Sequence, residues 1–304
     1  MSAALLIFIA VFFAGVFCRT FGWLGKIHAE RLAALVFSVS LPATILVSLD
    51  RMTFSAHVWR LPLAACLVTG LMLVFSWAIA RLLRMPRATQ GGFLLGTSCI
   101  NSVYFAYPVA LATLGNQGLA QAILFDLGQT TLTLTVIYAL ALWHGAGAAQ
   151  PRSLLVRFAA SPPLWALGAS LTLTAFNVQL PLWLRDGLVP LHLTTTPLAS
   201  LVLGLSISFS VIRRTFPLAL LGTAIRMGGG LCLGIVVAWL VNLGGIERAI
   251  VILVSAMPSA VTAVIFASEA ELDEDLVTSI VALSICVGVA MLPWLPELSQ
   301  LLLT

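Results

Sequence analysis

Polar side chains interrupt an apolar stretch of the chain at residues 96–115, GTSCINSVYFAYPVALATLG. Ser98, Asn101 and Ser102 place polar groups at mid-membrane depth, and Pro108 has no backbone N–H to donate. In hydrocarbon each unpaired backbone group costs several kcal/mol, so a helix of this kind is stable only where it lines a protein cavity. A helix broken there exposes N–H and C=O groups that can hold an ion or a polar substrate. A proline-kinked packing helix, with its hydroxyls bonded to their own turns, is the alternative.

A second apolar stretch is interrupted at residues 255–259, SAMPS, and it is the segment that we expect to cross the first one. If the two cross near Asn101 and Pro258, the half-helix N-termini direct free N–H groups and positive dipole ends to one point. Such a point suits an anion, most simply a carboxylate. The Asn101 amide can donate without adding charge, and Tyr104 either caps an organic substrate or only packs. Candidate hydroxyl groups belong to Ser98, Ser102, Ser259 and Thr262.

Two charged residues, Asp126 and Arg226, fall inside apolar stretches. A carboxylate within a membrane span is costly and points to function. Burial favours the neutral form of a carboxyl group, so Asp126 could exchange a proton during transport. It could instead cap broken-helix N–H groups or pair with a cation. Gln129 follows three residues later on the same helix face. Arg226 has three possible roles. It could neutralise the charge of Asp126, attract the negative charge of the substrate, or extend its long aliphatic side chain so that the guanidinium reaches the membrane interface.

The composition defines the elements that must position these groups. The chain has 304 residues, of which 61% are hydrophobic and 9% are charged, as is typical of a polytopic helical membrane protein. A helix of roughly 20 apolar residues spans a bilayer, which allows about ten spans joined by short loops. Continuous apolar runs exclude a β-barrel. No HExxH, GxSxG or P-loop pattern is present, and the cysteines lack CxxC spacing, so we expect no enzyme, cofactor or metal site.

The apolar stretches predict ten spans in two matching halves. Their approximate bounds are residues 3–18, 32–49, 61–83, 91–114, 119–143, 154–176, 188–211, 217–243, 249–267 and 276–294. Residues 1–144 form the first five-helix repeat, 145–152 a central cytoplasmic linker, and 153–304 the second repeat. Because five is odd, the second repeat is inverted in the membrane. Span 2 is expected to be interrupted at Ser40-Leu41-Pro42 and span 7 at Thr194-Thr195-Thr196-Pro197, and Pro42 corresponds to Pro197. The breaks near Asn101 and Pro258 also coincide, and paired breaks of this kind mark a transporter's binding site.

The basic residues predict the orientation, because cytoplasmic loops are enriched in lysine and arginine. One side carries Arg19, Lys26, Arg31, Arg81, Arg84, Arg87, Arg152, Arg157, Arg213 and Arg214, and the other carries Arg51, Arg60, Arg185 and Arg248. The first side is therefore cytoplasmic, and both termini are expected on the outer side. The net charge of +4 reports this orientation and indicates no nucleic-acid partner.

With its motifs in this order, the chain resembles the auxin efflux carrier family, bacterial branch, which is related in fold to the bile acid–sodium symporters. The matching motifs are Leu41-Pro42-Ala43, Asn101-Ser102-Val103-Tyr104 through Pro108, Asp126-Leu127-Gly128-Gln129, Pro197-Leu198-Ala199 and Ala256-Met257-Pro258-Ser259-Ala260. The resemblance covers essentially the whole chain. One departure is the short linker at residues 145–152, where the plant carriers have a long central loop.

This resemblance implies ten spans in an inverted five-plus-five repeat, with spans 4 and 9 broken and crossing. It implies a scaffold of spans 1, 2, 6 and 7, a mobile transport domain of spans 3–5 and 8–10, and a small carboxylate substrate such as malonate or malate. A homodimer through the scaffold helices is expected on the same ground. Pro42 and Pro197 would lie on the scaffold side, either contacting substrate or only shaping the packing.

We therefore predict a secondary active transporter of a small organic anion, working by elevator-like alternating access in the bacterial inner membrane. Its partners are the substrate and the lipid bilayer. The coupling ion, proton or sodium, is left open by the sequence. The alternatives are a sodium-coupled carrier of a larger organic anion, a passive channel and a membrane sensor.

Overall fold

The structure is a computed structural model that describes residues 3–50, 59–146, 160–207 and 212–297. Regular structure in these residues is helical. The α-helices are α1 Ala3–Thr20, α2 Lys26–Leu35, α3 Leu41–Leu49, α4 Arg60–Leu82, α5 Arg87–Ser98, α6 Tyr107–Leu132, α7 Tyr138–His144, α8 Pro162–Ala175, α9 Leu182–Ser206, α10 Ile212–Ala224, α11 Gly230–Leu240, α12 Gly245–Ser255, α13 Thr262–Glu269 and α14 Glu274–Met291. The predicted linker at residues 145–152 lies outside the described residues from position 147 onward.

Short π-helical turns connect or precede several of these helices. They are Val36–Ser40, Ser102–Ala106, Thr133–Ile137 and Ile225–Gly229, and a 3₁₀ turn, Leu292–Trp294, follows α14. A π turn inserts one extra residue into the helical ladder and is frequent at functional sites. Two of the four hold predicted site residues: Ser102 and Tyr104 lie in one, and Arg226 lies in another.

Seven helical stretches of the described residues are long and apolar enough to cross a membrane. They are Ala3–Thr20, Ile27–Leu49, Arg60–Leu82, Ser102–His144, Leu182–Ser206, Arg214–Leu240 and Glu274–Glu297. The longest, of 43 residues, is kinked at Gly115, whose φ of +66° is accessible to glycine without strain. The predicted fold class, an all-α polytopic membrane protein, is confirmed.

The outer surface of the bundle suits a bilayer. Many large apolar side chains are exposed on it, as expected where the solvent is lipid. Exposed tryptophans lie at or near helix ends, the positions that meet the membrane–water interface. They are Trp23, Trp59, Trp77, Trp143, Trp165, Trp183, Trp239 and Trp294.

The helices pack in two sets. In the first, α1 packs along α9, and α3 packs against α8 and α9. In the second, α4 packs against α5 and α6, α10 packs against α14, and α11 packs against α12. The sets meet where α1 and α3 contact α6. This meeting surface contains the candidate site.

Two predicted interruptions take a milder form in the structure. In the second span, the π turn Val36–Ser40 leads directly into α3, which accommodates Pro42 in its first turn. In the seventh span, α9 remains helical through Pro197, so the interruption predicted there is wrong. Neighbouring hydroxyls bond to the backbone of this helix, as in the Thr194 Oγ1 donation to the Leu191 carbonyl at 2.7 Å. A membrane helix tolerates a proline where neighbouring helices pack against it, and α9 packs against α1 and α3.

Candidate substrate-binding site

Two helices end in the middle of the molecule, and their following segments cross. Helix α5 ends at Ser98 and α12 at Ser255, and residues 99–101 meet residues 256–261. We call these two segments the crossover. Ile100 lies opposite Ser259 in an antiparallel bridge. The hydrogen bonds across it are Asn101 N to Pro258 O at 2.9 Å, Ala260 N to Cys99 O at 3.0 Å and Asn101 Nδ2 to Ser259 O at 3.3 Å. Each break thus supplies partners for the other's backbone groups, which hydrocarbon could not do.

The second half of each broken helix begins at the crossover. One starts with the π turn Ser102–Ala106, in which the Ala106 N–H donates to the Asn101 carbonyl at 3.0 Å, and continues into α6. The other is α13, which begins at Thr262. Pro108, which has no N–H to donate, lies where the π turn passes into α6. The first N–H groups of any helix have no intrahelical acceptor, so both half-helices present donors at their N-terminal ends.

A cavity of about 370 Å³ adjoins these two N-terminal ends. Its polar wall is formed by the crossover and the facing part of α6, with Asn101, Ser102, Tyr104, Tyr107, Asp126, Gln129, Thr130, Thr133 and Thr262. Its opposite wall comes from the first packing set and is largely apolar, with Phe37, Leu41, Ile45, Pro163, Leu164 and Leu167. The cavity therefore lies between the two sets of helices and extends from the crossover to Ser161 and Glu269.

The Asp126 carboxylate faces this cavity among neutral partners. The Tyr107 hydroxyl donates to Asp126 Oδ2 at 3.0 Å. The Gln129 amide fits its neighbours when Nε2 donates to Asp126 Oδ1 at 2.6 Å and to Ser102 Oγ at 2.9 Å. In that orientation Gln129 Oε1 accepts from the Ile100 N–H at 3.2 Å. The carboxylate is thus tied to the crossover backbone through one glutamine side chain.

Arg226 lies away from the cavity and does not contact Asp126. Its side chain is fully buried, with Nη1 donating to the Thr97 carbonyl at 2.9 Å and Nη2 to the Ser255 carbonyl at 2.6 Å. The interpretation that this arginine extends to the membrane interface is wrong, because no part of it is exposed. Its partners are instead the last turns of the two broken helices α5 and α12.

Three predicted site residues lie at or directly beside the crossover but do not line the cavity. Pro258 supplies the carbonyl that accepts from Asn101, and it borders a small apolar pocket with Phe105. Ser259 acts through its backbone, with its N–H donating to Ser284 Oγ at 3.0 Å. The Oγ atoms of Ser98 and Ser259 are buried and have no hydrogen-bond partner among the described residues.

The remaining predicted residues divide between the two walls. Tyr104 and Thr262 line the cavity on its polar side. Pro42 and Pro197 belong to α3 and α9 and do not line it, although Leu41, beside Pro42, does. Among the described residues, no group of three or more histidine, cysteine, aspartate or glutamate side chains could hold a metal ion.

Several lining residues were not found by sequence reasoning. Tyr107 precedes Pro108 in the first interrupted stretch, so its position could have marked it as a partner for an intramembrane carboxylate. The apolar wall gave no signal, because Phe37, Leu41 and Ile45, spaced four residues apart, read as an ordinary packing face.

Crossing broken helices beside a cavity between two helix sets are the arrangement of a membrane transporter. The chain belongs to the family described as membrane transport protein, whose sequence profile matches residues 1–295. This match confirms the resemblance to the auxin efflux carrier family. The chain is 27% identical over 289 residues to an uncharacterized transporter of Methanocaldococcus jannaschii. It is 29% identical over 286 residues to an uncharacterized transporter of Methanothermobacter thermautotrophicus, and each alignment covers 92% of both chains.

Proposed function

We propose that this transporter is a secondary active carrier of a small organic anion that works by elevator-like alternating access. The observation that carries the proposal is the meeting of two half-helix N-termini on the polar wall of the cavity. Each N-terminus carries about half a positive charge and several unpaired N–H donors. Two such ends beside one cavity favour a negatively charged ligand without any buried cationic side chain in contact with it.

The donors for the anion come from both half-helices. Val103 and Tyr104 belong to the first turn of one, and Val261 and Thr262 begin the other, and all four line the cavity. Asn101 lines the cavity while its amide bonds to the Ser259 carbonyl, so it fixes the relative position of the two ends. A carboxylate fits because its two oxygens can accept from both ends together.

The substrate class follows from the shape and polarity of the cavity. A volume of about 370 Å³ is at the small end of the range for small-molecule sites. Malonate and malate are of suitable size for the polar wall. The apolar wall of Leu41, Ile45 and Leu164 favours a carboxylate that also carries an apolar group. A comparison of malonate with benzoate therefore distinguishes the contributions of the two walls.

We assign α1–α3, α8 and α9 to a scaffold and the remaining helices to a transport domain. In each of these two domains, the inverted repeat relates the helices of the first half of the chain to those of the second half. The packing supports this division, because α1 on α9 mirrors α8 on α3, and α4 on α6 mirrors α10 on α14. On the scaffold side of the crossover, the rings of Phe8 and Phe105 pack edge to face with centroids 5.5 Å apart. This contact closes one side of the substrate path while the cavity occupies the other.

We propose that Asp126 couples transport to a proton. Its carboxylate lines the cavity and is joined to the crossover through Gln129, which also bonds to the Ile100 N–H. Its partners Tyr107 and Gln129 are neutral. A carboxyl group there can gain or lose a proton without breaking an ion pair.

The proposed orientation places the basic loops on the cytoplasmic side of the membrane. The cavity then extends toward the cytoplasm through Glu269, and both termini lie on the outer side of the membrane.

Binding of radiolabelled malonate to the purified full-length protein tests the site. Unlabelled malate and benzoate should compete, whereas choline should not. Asn101→Ala removes the amide that ties the two half-helix ends together through the Ser259 carbonyl, so it should weaken binding at least about tenfold. Gln117→Ala, which removes an exposed amide in the turn after Gly115, should leave binding unchanged. Equal binding by Asn101→Ala would place the site elsewhere, and no competition by any carboxylate would exclude this substrate class.

A further inference from the structure

The C-terminal ends of the two broken helices converge on one side chain, that of Arg226. Its Nη1 donates to the Thr97 carbonyl in the last turn of α5, at 2.9 Å. Its Nη2 donates to the Ser255 carbonyl, the last residue of α12, at 2.6 Å. The side chain is fully buried, so these carbonyls replace water for the two Nη atoms, while Nε has no hydrogen-bond partner among the described residues. A planar guanidinium with several donors is suited to hold two separate carbonyls at once.

The charges at this position balance without a carboxylate. A helix C-terminus carries about half a negative charge, so two ends together offer about one. The guanidinium supplies one positive charge. Asp126 is bound on the cavity side by Tyr107 and Gln129, so it is not needed as the counter-charge. The pairing of one cation with two helix ends therefore accounts for a buried arginine that would otherwise be costly.

The surrounding backbone is shaped for this contact. Arg226 lies in the π turn Ile225–Gly229, and α11 begins at the next residue, Gly230. A Cβ atom at Gly230 would lie 2.0 Å from the Ser255 carbonyl oxygen and 2.6 Å from Arg226 Nη2. Glycine thus permits the approach that brings the guanidinium to both carbonyls.

The same helix ends carry the groups that a small monovalent cation prefers. Broken membrane helices coordinate sodium through their C-terminal carbonyls. Buried hydroxyls of Ser98, Ser255 and Ser259 belong to the same breaks and have no hydrogen-bond partner among the described residues. With the guanidinium bound to Thr97 and Ser255, these carbonyl oxygens are already occupied by a positive charge.

We propose that Arg226 is a resident cation that takes the place of a coupling sodium ion at the crossover. The carrier then works without sodium, and removal of the guanidinium leaves an oxygen-rich position that binds sodium. The statement about coupling rests on the proposed transport function, whereas the statement about the cation position rests on the contacts of Arg226 alone.

Thermal unfolding of the purified full-length protein tests the proposal, in sodium chloride and in choline chloride of equal ionic strength. The unmodified protein should unfold at the same temperature in both salts. Arg226→Ala should be destabilised in choline, and sodium should raise its unfolding temperature by about 5 °C, since a ligand bound only by the folded state stabilises it. Arg226→Lys keeps a cation and should show no sodium effect. Arg81→Ala, on an exposed arginine, is the matched control.

Most other outcomes count against the proposal. Sodium stabilisation of the unmodified protein, or of Arg226→Lys, would show that the resident charge does not exclude sodium. An Arg226→Ala protein that is indifferent to sodium would show that no cation position is created. If this variant is recovered folded only from sodium medium, the proposal is supported; if it is lost in both media, it is contradicted. The unfolding experiment contains no carboxylate ligand. Its result therefore does not depend on whether the protein binds malonate.

Discussion

The two faces of the crossover carry opposite helix ends and opposite charges. On the cavity face, two N-terminal ends adjoin the partly exposed carboxylate of Asp126. On the other face, two C-terminal ends hold the fully buried guanidinium of Arg226. The carboxylate has neutral partners, so its charge can change, while an arginine keeps its charge. One pair of helix breaks therefore produces an adjustable face, where we propose that the substrate binds, and a fixed face that holds the structure together.

The largest effect is expected where the fixed face is most tightly packed. Gly230→Ala would bring a methyl group onto the Ser255 carbonyl and the Arg226 guanidinium, so we expect a loss of about 3 kcal/mol or more in folding stability. Gly228→Ala is the control, because a Cβ there meets no atom within 4 Å. Thermal unfolding of both variants measures the difference. Equal stability of the two variants would show that the backbone around Arg226 is not tightly packed.

The next effect concerns the adjustable face. Asp126→Asn removes the group whose charge can change, so accumulation driven by a pH gradient should fall at least about tenfold. Exchange of labelled for unlabelled substrate, which needs no net proton movement, should persist. Asp186→Asn, at an exposed aspartate, should behave like the unmodified protein. An Asp126→Asn carrier with unchanged pH dependence would remove the coupling role.

A smaller change is expected from the hydroxyl that holds this carboxylate. Tyr107→Phe deletes the donor to Asp126 and should slow pH-driven uptake by about threefold to tenfold, with a displaced pH profile. Tyr138→Phe deletes a comparable bond, from the Tyr138 hydroxyl to Glu269 at 2.9 Å, away from the crossover. It should leave the pH profile in place. The same displacement in both variants would show that the crossover network has no special part in coupling.

The smallest effect should come from a hydroxyl that the structure does not use. Ser98→Ala removes a buried Oγ without a hydrogen-bond partner in the described chain, so stability should change by less than about 1 kcal/mol. Ser102→Ala, in contrast, removes a cavity-lining hydroxyl that contacts Gln129 and should impair binding. Malonate binding measured on both variants distinguishes them. A greater loss for Ser98→Ala would show that the lining residues are wrongly assigned.

Much of the fold and part of the site could be predicted because few residue types are tolerated inside a membrane helix. A polar residue or a proline in an apolar run is costly, so Asn101, Asp126 and Pro258 marked the breaks and the cavity. The order of the breaks in two halves indicated that they meet, and the bridge between Ile100 and Ser259 lies where they do.

The rest depends on contacts that no local pattern encodes. Arg226 bonds to Thr97 and Ser255, which are distant from it in sequence, so its partners were not predictable from its own span. The apolar wall uses residue types that also fill ordinary packing faces. Helix α9 stays continuous through Pro197 where it packs against α1 and α3, and this packing outweighs the local preference of proline.

Uptake of labelled malonate into proteoliposomes, with a pH gradient and a sodium gradient imposed separately, tests the central claim most directly. The account predicts accumulation under the pH gradient, none added by the sodium gradient, and loss of accumulation in Asn101→Ala but not in Gln117→Ala. Accumulation that follows sodium alone, or that is unchanged in Asn101→Ala, would contradict a proton-coupled anion carrier with its site at the crossover.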